Sequence, residues 1–404
     1  MSLTVEVISG LMSKTPKGVT YSFVFDECHR LASRNIRIHV IRPVFESASF
    51  SYGLTFHGLE KPIDVRALIY SIKNLNCYHP LSLLRNPIKI YWENLYAINA
   101  LEIARKNEID LIHAHFAYPQ GLVGMLIKRK LRRPLVVTLH GYDILVEHSV
   151  KYGIRLDKRY DLIIQEVLND ADAIIVASKA IYNEASKLCE KRDKIQLIPN
   201  GVDIKRFNPQ LDSSVLREKW NIKDQFVVFT VRHHRPQYGI EYLIKAAALL
   251  LKRKKNVIFI IGGDGPMRQY YEKMALKLGL RDRMIFIGEI PRLEVPYYYA
   301  MSDIVVVPSL QEGWGLVVTE AMATGKPVIG TRVGGIVDQI VDGYNGFLVP
   351  PRDPKAIAKR ILYLIDNPSE AKKMGMNGRK LAEEKFNIEK RIDKIIELYR
   401  KLLG

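Results

Sequence analysis

The sequence predicts an α/β protein with two doubly wound, Rossmann-like domains, each built on a parallel sheet. The chain has 404 residues, which is enough for two domains with cores of ordinary size. Short apolar runs alternate with longer helix-like stretches along the whole chain, and they fall into two sets of about six. This alternation is typical of parallel sheets that are covered by helices on both faces.

The apolar runs define the candidate strands in chain order. Those of the N-terminal domain are Thr4–Ile8, Arg37–Ile41, Leu111–His113, Leu135–Leu139, Ala173–Val176 and Lys194–Ile198. Those of the C-terminal domain are Phe226–Val231, Val257–Ile261, Met284–Ile287, Ile304–Val307, Val328–Gly330 and Gly346–Val349. Helices are predicted between them, for example over Gly239–Leu251 and Pro266–Leu278. Proline at the start and Gly279 after the end of the latter are typical helix boundaries.

The turn-rich segment Leu197–Asp203 marks the predicted boundary between the domains. We therefore expect one domain over residues 1–203 and another over 204–387. The last stretch, 388–404, is amphipathic and is expected to pack back on the first domain. Sheets of this kind bind ligands at the carboxyl ends of their strands, so a cleft between two facing domains is the expected site.

The chain is strongly basic, with a formal net charge of +18 at pH 7. Such a charge favours polyanions, anionic lipid or phosphorylated substrates. The densest basic cluster is Lys128–Arg133, which we interpret as a solvated helix end, with peripheral contact to an anionic membrane as the alternative. Aromatic residues are not interleaved with basic ones, so no nucleic-acid partner is expected.

The three cysteines, Cys28, Cys77 and Cys189, lie far apart and show no metal-type spacing. This predicts a reducing compartment and no disulfide framework. The first residues resemble a strand and not a signal peptide. No apolar run approaches the ~18 residues of a membrane span. We therefore expect a cytoplasmic protein, at most peripheral at the inner membrane face.

The most informative segment follows the apolar run Asp303–Val307 and extends to Gly325. Two glycines flank a tryptophan there, and a helix-like stretch follows. Helix N-termini bind phosphate through free N–H groups and the helix dipole. Glu320 would lie about 7–8 Å along the helix, where a carboxylate can accept both hydroxyls of a ribose. Glu312, before the helix, could hold a sugar. The same segment is also compatible with a strand, loop and helix that bind nothing.

Several motifs in a fixed order resemble the retaining nucleotide-sugar glycosyltransferases of family 4, also called glycosyl transferases group 1. They are Thr138–Asp143, Ile198–Asp203, Gly262–Pro266, Glu312 with Glu320, Gly325–Gly330 and Gly334-Gly335. The second domain resembles the family more than the first. The resemblance implies the GT-B fold and transfer of a sugar from a UDP- or GDP-sugar to an acceptor hydroxyl. The acceptor class, whether glycan, lipid-linked or small molecule, stays open.

The resemblance also implies a front-face mechanism, in which the leaving diphosphate takes the acceptor proton. Neither a metal nor another cofactor is expected. Glu320 would bind the ribose, Glu312 the hydroxyls of the donor sugar, and His140 the transferred sugar near the reaction centre. Backbone N–H groups on sugar and phosphate are implied for Gly313, Trp314, Gly315 and Leu316, with tryptophan where the family often has phenylalanine. Gly18 would meet the donor phosphate, although Lys17-Gly18 stands where the family has two glycines.

The largest departure lies in the segment from Arg232 to Gly239. The family usually places an arginine and, several residues later, a lysine on the diphosphate. Arg232 fits the arginine, but Tyr238 stands where the lysine is expected and carries no charge at neutral pH. Arg235 and His233 are the candidates for the missing cation.

Two other pairs resemble metal sites, but we expect no metal at either. His113 and His115 share one face of a strand, yet no third ligand follows in the sequence. Asp170 and Asp172 precede a strand, where the family has structural residues.

Three other functions remain as alternatives. The first is a catalytically weak protein that binds sugar nucleotides or has a regulatory role. Tyr238 is the only residue that supports this alternative. The second is a related epimerase or phosphorylase, although we find no context for a pyridoxal-phosphate lysine. A nicotinamide enzyme is suggested by Gly262–Gly265, but the third glycine of that fingerprint would fall at Arg268.

Overall fold

The computed structural model describes residues 3–10, 12–15, 22–74, 86–254 and 256–404. Contacts divide the chain into two units. One unit extends to Ile198 and includes Ile392–Gly404, and the other is Pro199–Arg391. The first boundary between the units therefore lies slightly before the predicted boundary at residue 203. The second lies slightly after the predicted boundary at residue 387. Within the first unit, the last segment contributes the ion pair between Arg34 and Asp393, at 2.8 Å.

Among the described residues, eight strands of the first unit form one sheet in the order β3-β4-β2-β1-β5-β6-β7-β8. They are β1 Thr4–Ile8, β2 Arg37–Phe45, β3 Ser49–Ser51, β4 Leu54–Leu59, β5 Leu111–His115, β6 Leu135–Leu139, β7 Ala173–Val176 and β8 Ile195–Leu197. All neighbours pair in parallel except β3, which is antiparallel to β4. The strands β3 and β4 were not predicted. They are short and contain polar residues, so an apolar run does not mark them.

In the described part of the second unit, six strands form a parallel sheet in the order β11-β10-β9-β12-β13-β14. They are β9 Phe226–Val231, β10 Val257–Gly262, β11 Met284–Gly288, β12 Ile304–Val307, β13 Val328–Thr331 and β14 Gly346–Val349. Counted within the unit, this is the order 3-2-1-4-5-6 of a doubly wound nucleotide-binding sheet. The two parallel-sheet α/β domains predicted from the sequence are therefore confirmed.

Helices connect the strands of both sheets. In the first unit they are α1 Ser22–Ala32, α2 Val65–Lys73, α3 Pro87–Lys106, α4 Leu122–Leu131, α5 Arg159–Asp170 and α6 Lys179–Leu188. In the second unit they are α7 Ser214–Lys219, α8 Ile240–Leu250, α9 Arg268–Lys277, α10 Val295–Met301, α11 Leu316–Ala323, α12 Ile336–Gln339, α13 Pro354–Asp366 and α14 Pro368–Lys385; α15, Ile388–Leu403, ends the chain. Local signals fix some of their ends: the Asp353 side chain accepts from the Ala356 N–H at 2.9 Å and caps α13.

The central strands are buried along their whole length because helices cover both faces of each sheet. β1, β6 and β10 have no exposed residue, and their sequences are correspondingly almost continuous apolar runs. Each unit has its own hydrophobic core around its own sheet. Among the described helices, none is long and apolar enough to cross a membrane.

Candidate active site

The centre of the second sheet brings the ends of β9 and β12 together. The two strands pair through Val228 with Ile304 and Phe229 with Val305. The strand order reverses at this pair. Such a reversal leaves a crevice at the carboxyl ends of the strands, where ligands of open α/β sheets bind.

Arg232 follows β9, Glu312 follows β12, and the two form an ion pair at this edge. Arg232 Nη1 lies 3.1 Å from Glu312 Oε2, and only 6% and 13% of the two side chains are exposed. Ser309 Oγ donates to the same carboxylate oxygen at 3.3 Å. Loss of either partner would leave a poorly solvated charge uncompensated. The two residues that the sequence assigns to diphosphate and sugar are thus in contact with each other.

A pair of glycines supports the loop that carries Glu312. Gly334 has a φ of +47°, and a Cβ there would lie 1.7 Å from the Glu312 carbonyl oxygen. A Cβ at Gly335 would lie 2.6 Å from the Gly313 carbonyl oxygen. The Gly335 N–H donates to the Glu312 carbonyl at 3.2 Å. Both positions therefore require glycine, and this motif shapes the loop through backbone contact.

The start of α11 offers backbone groups to a ligand. Gly315 is its N-cap, with a φ of +94°, and no side chain caps the helix. The Trp314 ring is 4% exposed and packs edge-to-face on Phe386 with centroids 5.4 Å apart. Its side chain therefore belongs to the core. Only the backbone from Gly313 to Leu316 suits the predicted role, and an uncapped helix start of this kind favours phosphate.

Glu320 points from α11 to Tyr299 of α10. The Tyr299 hydroxyl donates to Glu320 Oε2 at 2.7 Å. Burial raises the pKa of Glu320, while the Tyr299 hydrogen bond and the charges of Arg206, Arg292 and Arg232 oppose the rise. Tyr299 has a pKa well above its usual value, because it is buried and Glu320 is negative. The hydroxyl therefore stays protonated and orients one carboxylate oxygen.

Tyr238, at the position of the expected lysine, lies beside the ion pair. The Arg232 guanidinium lies over the Tyr238 ring, 5.3 Å from its centroid. Burial raises the pKa of Tyr238 and Glu312 adds to the rise, while Arg232 and Arg235 oppose it. The phenol is therefore a neutral hydrogen-bond donor at this edge.

The two candidates for the missing cation differ in their surroundings. A Cβ on Gly265 would lie 2.3 Å from His233 Nδ1, so the His233 ring packs against that glycine. Both side chains are exposed, and of the two only the charge of Arg235 acts on Tyr238, whose pKa it lowers. The neighbouring His234 is fully buried, and burial lowers its pKa. Arg235 is thus the better placed of the two candidates.

In the first unit, His140 directly follows β6, and Asp143 fixes its backbone. Asp143 Oδ1 accepts the N–H of His140 at 3.1 Å and that of Gly141 at 2.9 Å. Burial raises the pKa of Asp143, and the backbone N–H groups oppose the rise. The His140 ring lies between Phe23 and Phe116, with centroids 4.9 and 4.5 Å away.

A buried group of imidazoles adjoins His140. His115 Nδ1 lies 3.0 Å from His140 Nε2, and the two rings are 15° from coplanar, which is the geometry of an in-plane hydrogen bond. His113 Nδ1 contacts the Tyr399 hydroxyl at 2.5 Å, and its Nε2 contacts the Thr138 hydroxyl at 2.7 Å.

The expectation that His113 and His115 lack a third ligand was wrong. Glu27 of α1 joins them in space, and one ligand atom of each lies within 4.8 Å of the others. The sequence did not show this because α1 is distant along the chain. Both nitrogens of His113 already form hydrogen bonds. We assign this group to hydrogen bonding and keep the absence of a metal as a prediction.

The Asp170 and Asp172 pair has structural partners. Asp172 Oδ2 accepts the Leu135 N–H at 2.7 Å, and Oδ1 pairs with Lys128 at the same distance. Asp170 pairs with Arg129 at 3.3 Å. Gly18 lies outside the described residues.

Sequence analysis missed the residues that support the predicted ones. Tyr299 stands in a run of three tyrosines, and only the helical phase of α10 selects it. Tyr399 and Glu27 are distant in sequence from the imidazoles that they contact or adjoin. No motif marks these partners, because residues that come into contact only on folding have no characteristic spacing along the sequence.

Two family models cover most of the chain. One, described as Glycosyltransferase Family 4, matches residues 22–206, and one described as Glycosyl transferases group 1 matches residues 212–381. An uncharacterized glycosyltransferase of Methanocaldococcus jannaschii is 32% identical over 350 residues, which are 86% of this chain and 89% of that protein. The chain belongs to the group 1 glycosyltransferases. The family predicted from the motifs is therefore confirmed.

Other relatives and solved structures resemble this glycosyltransferase over most of its length. A GDP-mannose-dependent α-(1-6)-phosphatidylinositol monomannoside mannosyltransferase of Mycolicibacterium smegmatis is 29% identical, covering 72% of this chain and 77% of its own. Sucrose-phosphate synthase of Thermosynechococcus elongatus has a TM-score of 0.81 at 24% identity, covering 99% of both chains. Anabaena HepE, in complex with UDP and glucose, has a TM-score of 0.76 at 23% identity, covering 98% of both. These structures confirm the GT-B fold.

Proposed function

We propose that this glycosyltransferase moves a sugar from a UDP- or GDP-sugar to an acceptor hydroxyl, with retention of anomeric configuration and without a metal ion. The observation that carries the proposal is the Arg232–Glu312 pair at the reversal of the strand order. One partner is cationic and suits a diphosphate. The other is a carboxylate next to the uncapped start of α11 and suits sugar hydroxyls.

The proposed donor lies along α11. The backbone from Gly313 to Leu316 and the Arg232 guanidinium bind the diphosphate, and Glu320 accepts hydrogen bonds from the ribose. When the diphosphate binds, it competes with Glu312 for Arg232, and the released carboxylate turns to the hydroxyls of the transferred sugar. The family resemblance assigns His140 to the transferred sugar as well.

The chemical step needs no nucleophile from the protein. The bond from the anomeric carbon to the diphosphate breaks, the bond to the acceptor oxygen forms on the same face, and the acceptor proton passes to a diphosphate oxygen. Negative charge grows on the diphosphate as it leaves. Arg232, the helix start and the Tyr238 hydroxyl stabilise that charge, with Arg235 as the second cation.

The relatives support a nucleotide-sugar donor, since the mycobacterial relative is named for GDP-mannose and the HepE structures for UDP and UDP-glucose. The same mycobacterial relative is named for a phosphatidylinositol mannoside, which supports a lipid-linked acceptor. Glycan and small-molecule acceptors remain alternatives.

A panel of UDP- and GDP-sugars tests the donor first. The true donor should raise the melting temperature most, since a ligand of the folded state stabilises it. Release of nucleoside diphosphate then measures turnover, and NMR of the product gives its anomeric configuration. An inverted product would refute the retaining mechanism.

A donor that binds without turnover, under a broad set of acceptors, would favour the alternative of a catalytically weak, sugar-nucleotide-binding or regulatory protein. Tyr238 at the lysine position is the observation in favour of that alternative.

A further inference from the structure

The helix α2 presents its apolar side to solvent. Val65, Leu68, Ile69 and Ile72 are 70, 56, 46 and 62% exposed, and Ile63 just before the helix is 80% exposed. We call these five residues the α2 stripe. The positions within the helix follow the spacing i, i+3, i+4, i+7, which places them along one face. In a globular protein such a stripe normally faces the core.

Small residues occupy the side of α2 that does face the protein. Ala67 and Ser71 are its buried residues, and the Ser71 hydroxyl donates to the Ala67 carbonyl at 2.7 Å. They let α2 approach α3 closely, while the larger aliphatic side chains point outward. The exposure of the α2 stripe is therefore a consequence of how the helix packs and not of fraying.

Basic side chains lie around the α2 stripe, and two of the nearby acids share one arginine. Asp64 and Glu102 both pair with Arg66, and the hydrogen bond from Arg66 lowers the pKa of Asp64. Exposed cations remain around the stripe. They are Lys61, Lys73 and Arg105, with Ile69 and Arg105 lining one recess, and Lys130, whose ammonium lies 5.6 Å from the Tyr70 ring centroid.

The contact between Lys130 and Tyr70 places the basic cluster Lys128–Arg133, at the end of α4, beside the helix α2. In that cluster Lys128 and Arg129 pair with aspartates, whereas Lys130, Arg132 and Arg133 are exposed. The cluster that the sequence suggested was a solvated helix end thus lies next to the helix that carries the α2 stripe.

We propose that the α2 stripe and its basic border bind an anionic lipid surface, with the aliphatic side chains inserted at the level of the headgroups. A short helix with aliphatic residues on one side and Lys and Arg around them has the chemistry of an interfacial segment. A protein partner is less well matched, because protein interfaces favour aromatic anchors over lysine-bordered aliphatic residues. The net charge of +18 acts in the same direction.

Cosedimentation of the full chain with vesicles tests this proposal. We expect binding to phosphatidylcholine vesicles that contain phosphatidylglycerol, little binding to pure phosphatidylcholine, and weaker binding as salt rises. The variant Leu68→Gln/Ile72→Gln should lower the partition coefficient at least roughly tenfold. Lys73→Gln/Lys130→Gln should lower it roughly tenfold or more on the anionic vesicles.

The matched control is Leu276→Gln/Leu278→Gln, since these leucines are 59 and 43% exposed at the end of α9. It should bind vesicles as the wild type does, and all variants should keep the wild-type melting temperature. Four outcomes overturn the proposal. The first is a wild-type chain that does not bind anionic vesicles. The second is a stripe variant that binds these vesicles as well as the control does.

The third is loss of a wild-type dimer in the stripe variant, measured by light scattering, which would make the stripe a contact between two copies. A large fall in melting temperature without vesicle binding by the wild type likewise means that the chain itself covers the stripe. The vesicle assay uses neither donor nor acceptor, so a negative result does not bear on the proposed transfer reaction. Failure of the proposed transfer reaction likewise does not bear on vesicle binding.

Discussion

Arg232 and Glu312, which follow two neighbouring strands of the second sheet, are 3.1 Å apart and almost fully buried. Each is the other's charge partner, and each is also the residue that the proposed reaction needs for a different part of the donor. Donor binding must therefore redistribute this pair, and variants of the two residues should not behave alike.

The first prediction separates the two glutamates. Glu320→Gln keeps the shape but loses the charge that strengthens hydrogen bonds to ribose hydroxyls, so free UDP or GDP should bind roughly tenfold more weakly. Glu312→Gln should not weaken free nucleotide binding, because it removes the competitor of the diphosphate for Arg232, and it should lower turnover or discrimination between donor sugars. Calorimetry with nucleotide and with nucleotide sugar measures both. Equal weakening of free nucleotide in the two variants would contradict the proposed arrangement.

The second prediction concerns the supporting hydroxyl of Tyr299. Tyr299→Phe removes the donor that orients Glu320 and should weaken nucleotide binding severalfold, less than Glu320→Gln does. Tyr298→Phe is the matched control, because Tyr298 is also buried but its ring stacks on Phe229. A Tyr299→Phe protein that binds nucleotide like the control would show that Glu320 needs no such support.

The third prediction concerns the charge on the leaving group. Arg232→Ala should lower kcat by ~10²–10³, since one contact to the developing charge is lost. It should also lower the melting temperature, because Glu312 stays buried without its partner. Adding Glu312→Gln to that variant should restore stability but not activity.

Arg235→Ala measures compensation for Tyr238 in the same assay. We expect a smaller fall in kcat than for Arg232→Ala. Wild-type kcat in Arg235→Ala would leave Tyr238 without a cationic substitute, and Tyr238→Lys should then raise turnover.

The fourth prediction concerns metal. The proposed reaction meets the diphosphate charge with Arg232, Arg235 and the start of α11. Turnover should therefore persist in EDTA after dialysis against the chelator. Activity that disappears and returns with Mn²⁺ or Mg²⁺ would contradict this, and Glu27→Gln, which alters the group of Glu27, His113 and His115, would then show whether the ion binds there.

The fifth prediction concerns pH and the pair His39 and His57. Burial, with help from the charges of His57 and Arg37, lowers the pKa of His39 from 6.5 to about 4. Between these values the unfolded chain binds a proton that folded His39 does not. The free energy of unfolding should therefore fall as pH falls through this window.

His39→Gln should flatten that pH dependence. Thermal unfolding of wild type and variant between pH 7 and pH 4 makes the comparison, with His148→Gln as a control at a helix end on the surface. An unchanged slope in His39→Gln would assign the pH dependence to other groups.

Sequence patterns predicted much of the fold, and the errors have a physical origin. The six strands of the second sheet were all predicted, because burial on both faces demands continuous apolar runs. β3 and β4 were missed because they lie toward the sheet edge, where exposure permits polar residues. The motifs located Arg232, Glu312 and Glu320, since residues at strand ends and helix starts stand at fixed distances along the chain.

By itself the sequence determined the two-sheet architecture, the family and the order of the motifs that are proposed to bind the donor. These depend on periodicity and local spacing, which the chain carries directly. The tertiary structure decided which residues are partners: Arg232 with Glu312, Tyr299 with Glu320, and Tyr399 with His113. It also decided that the apolar side of α2 faces outward, because the sequence shows only that a helix has an apolar side. Which side faces the core depends on the packing of α2 against α3.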